Sequence, residues 1–290
     1  MANASSARRR APISLLLSLL ALCLISLGVV RFYPYQLAFT TFPHTTHTRS
    51  GVAGDPINLI LVGSQDQITR GFEQAGWLIP DPITPQSTAK IVAASIAGQS
   101  YPTAPVSNLY AFGRAQDLAF EKPTNNVQYR DHIRLWQTDE SLAGQRVWIA
   151  QASYDAGIEL SARNELPTHH IAPAVDRERN TVGDALRGTG LVTQELVAAY
   201  TSPIFFARNG GGDFYESDGD TLIINFTHAP VQVPPQPLIV AGLKTGAFLA
   251  YDAIVSPGVI LIAALTVLAV CGVALLIYRA ARRRRAPGSA

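Results

Sequence analysis

The sequence predicts an α+β domain, a largely antiparallel sheet with helices on one face, flanked by two transmembrane helices. Three observations predict it. Two uncharged apolar runs stand near the ends, Ile13 to Val30 and Ile254 to Tyr278. Between them, short runs of β-branched and aromatic residues are interspersed with helical spacings. All 21 carboxylate side chains fall between Asp55 and Asp252, whereas arginines crowd both ends.

A bilayer core takes roughly 20 helical residues, so the second run fits comfortably and the first just reaches. Arg8, Arg9 and Arg10 precede the first run, and Arg279, Arg282, Arg283, Arg284 and Arg285 follow the second. Basic flanks stay in the cytoplasm, which puts both termini inside and the middle outside. The expected order is a basic cytoplasmic tail (1–12), a transmembrane helix or signal anchor (13–31), a linker (32–54), an exported domain (55–253), a transmembrane helix (254–278) and an Arg-rich cytoplasmic tail (279–290). The first partner this implies is the lipid bilayer. The first run also reads as a cleavable signal peptide, with Ser26-Leu27-Gly28 as a small-x-small site. Either reading exports the domain.

Residues 32–253 carry 14 Lys and Arg against the 21 acids, a formal charge of −7. An acidic surface repels phosphate backbones, so nucleic acid is not an expected partner despite a pI near 8.6. Cys23 and Cys271 both lie in the apolar runs, so the domain between them has neither disulfide nor thiol nucleophile.

Within the domain, Thr40 to Gly54 shows little periodicity and reads as linker. Ile57 to Val62 (INLILV) reads as a buried strand. Ser64 caps a helix over Gln65 to Ala75, with Ile68, Phe72 and Ala75 on one face, and Gly76 ends it. Gln86 to Ala97 reads as a second helix and Asp176 to Arg187 as a third. Strand signals mark Leu109 to Phe112, His132 to Trp136, Arg146 to Ser153, Leu191 to Thr201 and Thr221 to Thr227. Asn209 to Asp220 reads as a polar loop between strands.

Five segments carry a family resemblance. They are INLILVGSQDQITRGFEQAGW (Ile57 to Trp77), GRAQDLAFEK (Gly113 to Lys122), RDHIRLW (Arg130 to Trp136), VWIAQASYDAGIEL (Val147 to Leu160) and THHIAPAVDRERN (Thr168 to Asn180). In order and content they resemble the C-terminal domain of LssY, a protein ascribed to secretion systems. The resemblance covers about Asp55 to Phe226. It implies an envelope setting and no defined activity. The membrane-embedded phosphatase segments often fused to this domain have no counterpart in this sequence, so their chemistry does not carry over.

The chain has six histidines: His44, His47, His132, His169, His170 and His228. His132, His169 and His170 with Asp176 form the candidate metal or acid/base set, since imidazole with a carboxylate suits zinc or another divalent ion. Neighbours on a regular strand face opposite ways, so His169 and His170 can ligate together only from a loop. The competing reading is a hydrogen-bonded polar seam between loop and sheet. Arg130, His132 and Arg134 alternate, which puts all three on one strand face where two guanidinium forks can clamp an anion. The competing reading there is an exposed face salt-bridged to Glu121, Asp155 or Glu159. Asp213, Glu216, Asp218 and Asp220 resemble a sparse calcium loop without the EF-hand spacing.

Two functions follow from these readings. One is a membrane-anchored binding or accessory component of an envelope, transport or secretion assembly, with envelope proteins as partners. The other is an envelope hydrolase, metal-dependent or acid/base, using the His132/His169/His170 region.

Overall fold

The structure, a computed structural model, describes residues 37–160 and 167–233, with isolated positions at 21, 24, 25, 28, 243, 244, 246 and 247. The two apolar terminal runs lie outside the described residues except for those isolated positions. Among the described residues no helix is long and apolar enough to cross a membrane.

The first half of the domain runs β1 (Thr45–His47), β2 (Ala53–Pro56), β3 (Leu59–Val62), α1 (Gln65–Gln74), α2 (Pro85–Ala97), β4 (Tyr110–Ala111), β5 (Arg114–Ala115) and β6 (Leu118–Lys122). The second half runs β7 (Tyr129–Leu142), β8 (Gln145–Leu160), β9 (Pro167–Ile171), α3 (Val175–Arg187), β10 (Gln194–Ala199), β11 (Ile204–Arg208), β12 (Phe214–Ser217) and β13 (Asp220–Asn225). The large sheet has the order β10-β13-β3-β8-β7-β6, with β9 on β8. Every pair in it is antiparallel except β13 with β3, so the fold is a mixed α+β one.

Alternation along each strand divides the sheet into two faces. One face carries Leu59, Leu61, Trp148, Ala150, Leu222 and Ile224, and it is covered by Ile68 and Phe72 of α1 and Val182 and Leu186 of α3. Each of these fully buried side chains contributes about 1.5–3 kcal/mol of transfer free energy. Serine 64 caps α1 as its position predicts: Ser64 Oγ accepts from Gln67 N at 3.3 Å and Gln67 Oε1 accepts from Ser64 N at 2.9 Å. Gly183 brings α3 close to the sheet, because a Cβ there would sit 2.4 Å from Leu222 Cδ2.

The opposite face carries Ile60, Val62, Trp136, Val147, Ile149 and Ile223, and it is buried under Phe42, Ile57 and Leu109. The sheet is covered on both faces, with α1 and α3 lying on the first. One sequence reading is corrected. The stretch read as a linker, 32–54, contributes β1 and β2 to a four-stranded sheet of order β2-β1-β4-β5. Its alternation is too short to stand out, and pairing with distant β4 supplies the missing hydrogen bonds. The loop read over Asn209 to Asp220 likewise holds β12, which pairs with β11.

Helix α2 belongs to neither large core. Thr84 caps it, Pro85 opens it, and Gly98 ends it in the left-handed region at φ 61°. Its inner side rests on a small cluster of Ala94, Tyr101, Ala104 and Val127.

Candidate functional site

Strands β7 and β8 form a long hairpin, and its chemistry changes along its length. Near the turn, the face opposite α1 is apolar, with Trp136 and Ile149 directly paired. Further along, the same face presents cross-strand pairs Arg134↔Gln151, His132↔Ser153 and Arg130↔Asp155. Glu121 of β6 stands opposite His132 from the other side. All seven of these polar residues are buried.

Burial forces them to satisfy one another. Arg130 Nη1 donates to Glu121 Oε2 at 2.5 Å and Nε donates to Asp155 Oδ2 at 3.2 Å. Its remaining bonds go to the Ala104 and Pro105 carbonyls. His132 Nε2 lies 3.0 Å from Ser153 Oγ, and His132 Nδ1 lies 3.4 Å from Asp155 Oδ1. Gln151 Nε2 donates to Ser153 Oγ at 2.8 Å. Burial pushes the Glu121 carboxyl up to about 8, outweighing the pull of Arg130. Glu121 Oε1 accepts no hydrogen bond among the described residues.

Arg134 differs from Arg130. Nε donates to Ser107 O at 2.8 Å, Nη1 to Gln151 Oε1 at 2.7 Å and Nη2 to Ser107 Oγ at 3.1 Å. All three acceptors are neutral. Arg134 is only 4% exposed, and burial draws it down to about 10, still charged at neutral pH. A guanidinium has five N–H groups, so two have no partner among the described residues.

Asp55 of β2 faces this floor across the amide of Gln151, which donates to Asp55 Oδ2 at 3.4 Å. Asn209 Nδ2 donates to Asp55 Oδ1 at 2.9 Å and to Asp213 Oδ2 at 3.1 Å, and Asn209 Oδ1 accepts from the Gly211 and Asp213 amides. Burial raises the Asp55 carboxyl, against the Asn209 hydrogen bond and the Arg134 charge. Gly210 lets this loop touch the β2 edge: a Cβ there would lie 2.4 Å from Ala53 O.

These groups floor a cleft of about 810 Å³. One wall is α2, which turns Thr88, Ile91, Val92, Ser95 and Ile96 towards it. That is the i, i+3, i+4, i+7, i+8 spacing of one helix face. Val92 and Ile96 are 52% and 84% exposed, and Ile83 at the rim is 53% exposed. The cleft is therefore amphiphilic, with a charged floor and an open apolar wall.

The sequence candidates separate. Arg130, His132 and Arg134 share one strand face as their alternation predicts, but that face is buried rather than exposed. His170 Nδ1 pairs with Asp213 Oδ1, and Asp213 reaches the cleft. His169 and His170 are adjacent positions of β9, opposite Ile158 and Gly157, beside a shift in the β8–β9 register. The His169 side chain lies outside the described residues. Asp176 belongs to another network, at the start of α3, where its carboxylate accepts from Ser217 Oγ and Asp218 N. Burial and the Asp218 charge push it up to about 6 despite Arg179. Asp218 pairs with Arg179 and Asp213 with His170, so these two acids of the calcium-like run are held by different bases. Among the described residues no group of three or more His, Cys, Asp or Glu stands close enough to hold a metal ion. His44 packs edge-on against Tyr200 at 5.0 Å.

Sequence reasoning missed Asp55, Asn209, Gln151 and the α2 wall. The alternation of Gln151, Ser153 and Asp155 was a signal for the floor. The spacing of Thr88, Ile91, Val92, Ser95 and Ile96 was a signal for the wall. Nothing local marks Asp55 or Asn209, which stand 154 residues apart.

Fold and site define a mixed α+β domain built around an amphiphilic cleft. Residues 39–221 match the family described as LssY C-terminus, more than half of the chain, and the chain belongs to that family. No curated protein matches it, and no solved structure does.

Proposed function

We propose that this is a membrane-anchored envelope protein whose LssY C-terminal domain is exported and acts as a binding or accessory module of an envelope, transport or secretion assembly. The cleft is its working surface. The observation that carries the reading is the union of a cross-bonded charged floor with an apolar helix face left open to solvent. Such a concave surface with a few convergent polar groups suits a bound ligand or a partner's segment. The Arg-flanked apolar runs support the tether and the export.

Two measurements test this. Reporter fusions after Ser50 and after Ala290 should read non-cytoplasmic and cytoplasmic respectively; a cytoplasmic signal from the first overturns export. Native mass spectrometry of the full chain should find a co-purifying species that Ile96→Asp releases. A chain that carries nothing in either form overturns the binding reading.

One observation favours the hydrolase alternative. Ser153, His132 and Asp155 stand in the order of a nucleophile, base and orienting acid, at 3.0 and 3.4 Å. Ser153 is 1% exposed, however, and the cleft is lined by His132 and not by Ser153. Hydrolysis of short nitrophenyl esters by the full chain, abolished in Ser153→Ala and His132→Gln, would establish this alternative over simple binding. Stoichiometric metal in the purified full chain, lost in His132→Ala and His169→Ala, would establish its metal-dependent form.

A further inference from the structure

We infer that the cleft takes a single-chain amphiphile, an alkyl chain ending in an oxyanion such as phosphate or carboxylate, with the head on Arg134 and the chain along α2. This rests on the cleft being a binding site and names the class of its ligand.

The head position follows from a contrast between two arginines on one strand face. Arg130 is held by two carboxylates, and four of its hydrogen bonds are made inside the protein. Arg134 lines the same cleft at 4% exposure, yet its three acceptors are uncharged oxygens. A buried guanidinium with two spare N–H groups is a preformed fork for an oxyanion, and charge-assisted bonds of this kind are among the strong ones. Asp55 does not fill the fork. It is held off by the intervening Gln151 amide, and its own oxygens take Asn209 and Gln151 as donors.

The tail position follows from α2. A surface helix ordinarily turns its apolar stripe into a core. Here Val92 and Ile96 of the stripe look across the cleft instead, while Ile91 and Ala94 pack with Tyr101, Ala104 and Val127. An alkyl chain lying on that stripe removes its apolar surface from water, and the volume of about 810 Å³ falls within the range of small-molecule sites.

The test uses the full chain in amphipol, free of detergent, titrated with dodecyl phosphate, dodecanoate, dodecyl glucoside and inorganic phosphate. Dodecyl phosphate or dodecanoate should bind saturably at one per chain, and inorganic phosphate only weakly. Affinity should rise roughly fourfold per methylene between eight and twelve carbons, the worth of one buried CH₂. Arg134→Gln should weaken the charged ligands by about tenfold or more and leave the glucoside unchanged. Ile96→Asp, on an exposed position that folding does not need, should abolish the chain-length dependence with unchanged melting. It serves if Arg134→Gln fails to fold. Equal binding of glucoside and anion overturns the head-group assignment while the cleft remains a binding site. Binding without chain-length dependence overturns the tail assignment. If no amphiphile binds, both this inference and the small-ligand form of the proposed function fall.

Discussion

Glu178, which is buried, and Asp131, which is half-buried, form a carboxyl pair whose titration should dominate the pH dependence of stability. Asp131 alternates with Arg130 and His132 and so shares the helix face of the sheet with Ile133 and Leu135, where Glu178 of α3 hydrogen-bonds it. Glu178 is 5% exposed. Burial, then the Asp131 charge and the hydrogen bond to Asp131, push it from 4.5 up to about 9, with Lys122 opposing. Asp131 is also raised, chiefly by burial. The folded protein therefore keeps a proton on Glu178 that the unfolded chain has released above pH 4.5. Between pH 4.5 and about 9 the native state binds more protons than the unfolded one, so stability falls as pH rises. At pH 7 the accumulated penalty is about 3 kcal/mol, from about 1.4 kcal/mol per unit over two and a half units. Glu178→Gln removes the titration, and its amide still donates to Asp131. The variant should melt about 6–12 °C above wild type at pH 7, at about 2–4 °C per kcal/mol for a domain of this size, and nearly with it at pH 5. Glu121, raised to about 8, titrates in the same window, so the difference between the two proteins, not the slope of either, isolates Glu178. Scanning fluorimetry of the full chain from pH 5 to 9 measures it. Parallel curves for the two proteins would refute the shared-proton account.

Arg130→Met should cost about 3–5 kcal/mol in denaturant unfolding, because it strands Glu121 and Asp155 without their common cation. Gly219→Ala should cost about 3 kcal/mol, since φ is 79° and a Cβ would stand 2.4 Å from Thr201 O; melting unchanged within 2 °C would contradict it. Trp148→Phe should cost about 1–3 kcal/mol by leaving the Gly63 carbonyl without its Nε1 donor, 3.1 Å away, and urea midpoints will show whether it does.

Much of the scaffold was legible because it is locally written. Ser64 and Gln67 specify the start of α1, and Ile68 and Phe72 specify its buried face. Asp176 to Arg187 read as a helix, and α3 spans Val175–Arg187. The runs at His132 and Arg146 read as strands, although the hairpin extends further in both directions, to Tyr129–Leu142 and Gln145–Leu160. The reading of Arg130 against Glu121 and Asp155 was right in partners and wrong in exposure. Alternation reports which residues share a face, while burial depends on what covers that face.

The sequence by itself determined the segregation of charge, the family, the main helices and strands, and the common face of Arg130, His132 and Arg134. Each rests on periodicity, caps or composition within a few residues. Only the tertiary structure decided that β13 runs parallel to β3, that residues 45–56 form strands rather than a tether, and that Asp55, Asn209, Arg134 and the open stripe of α2 enclose one cleft. Those outcomes depend on which distant segments hydrogen-bond and exclude water together, and a local pattern carries no record of its distant partner.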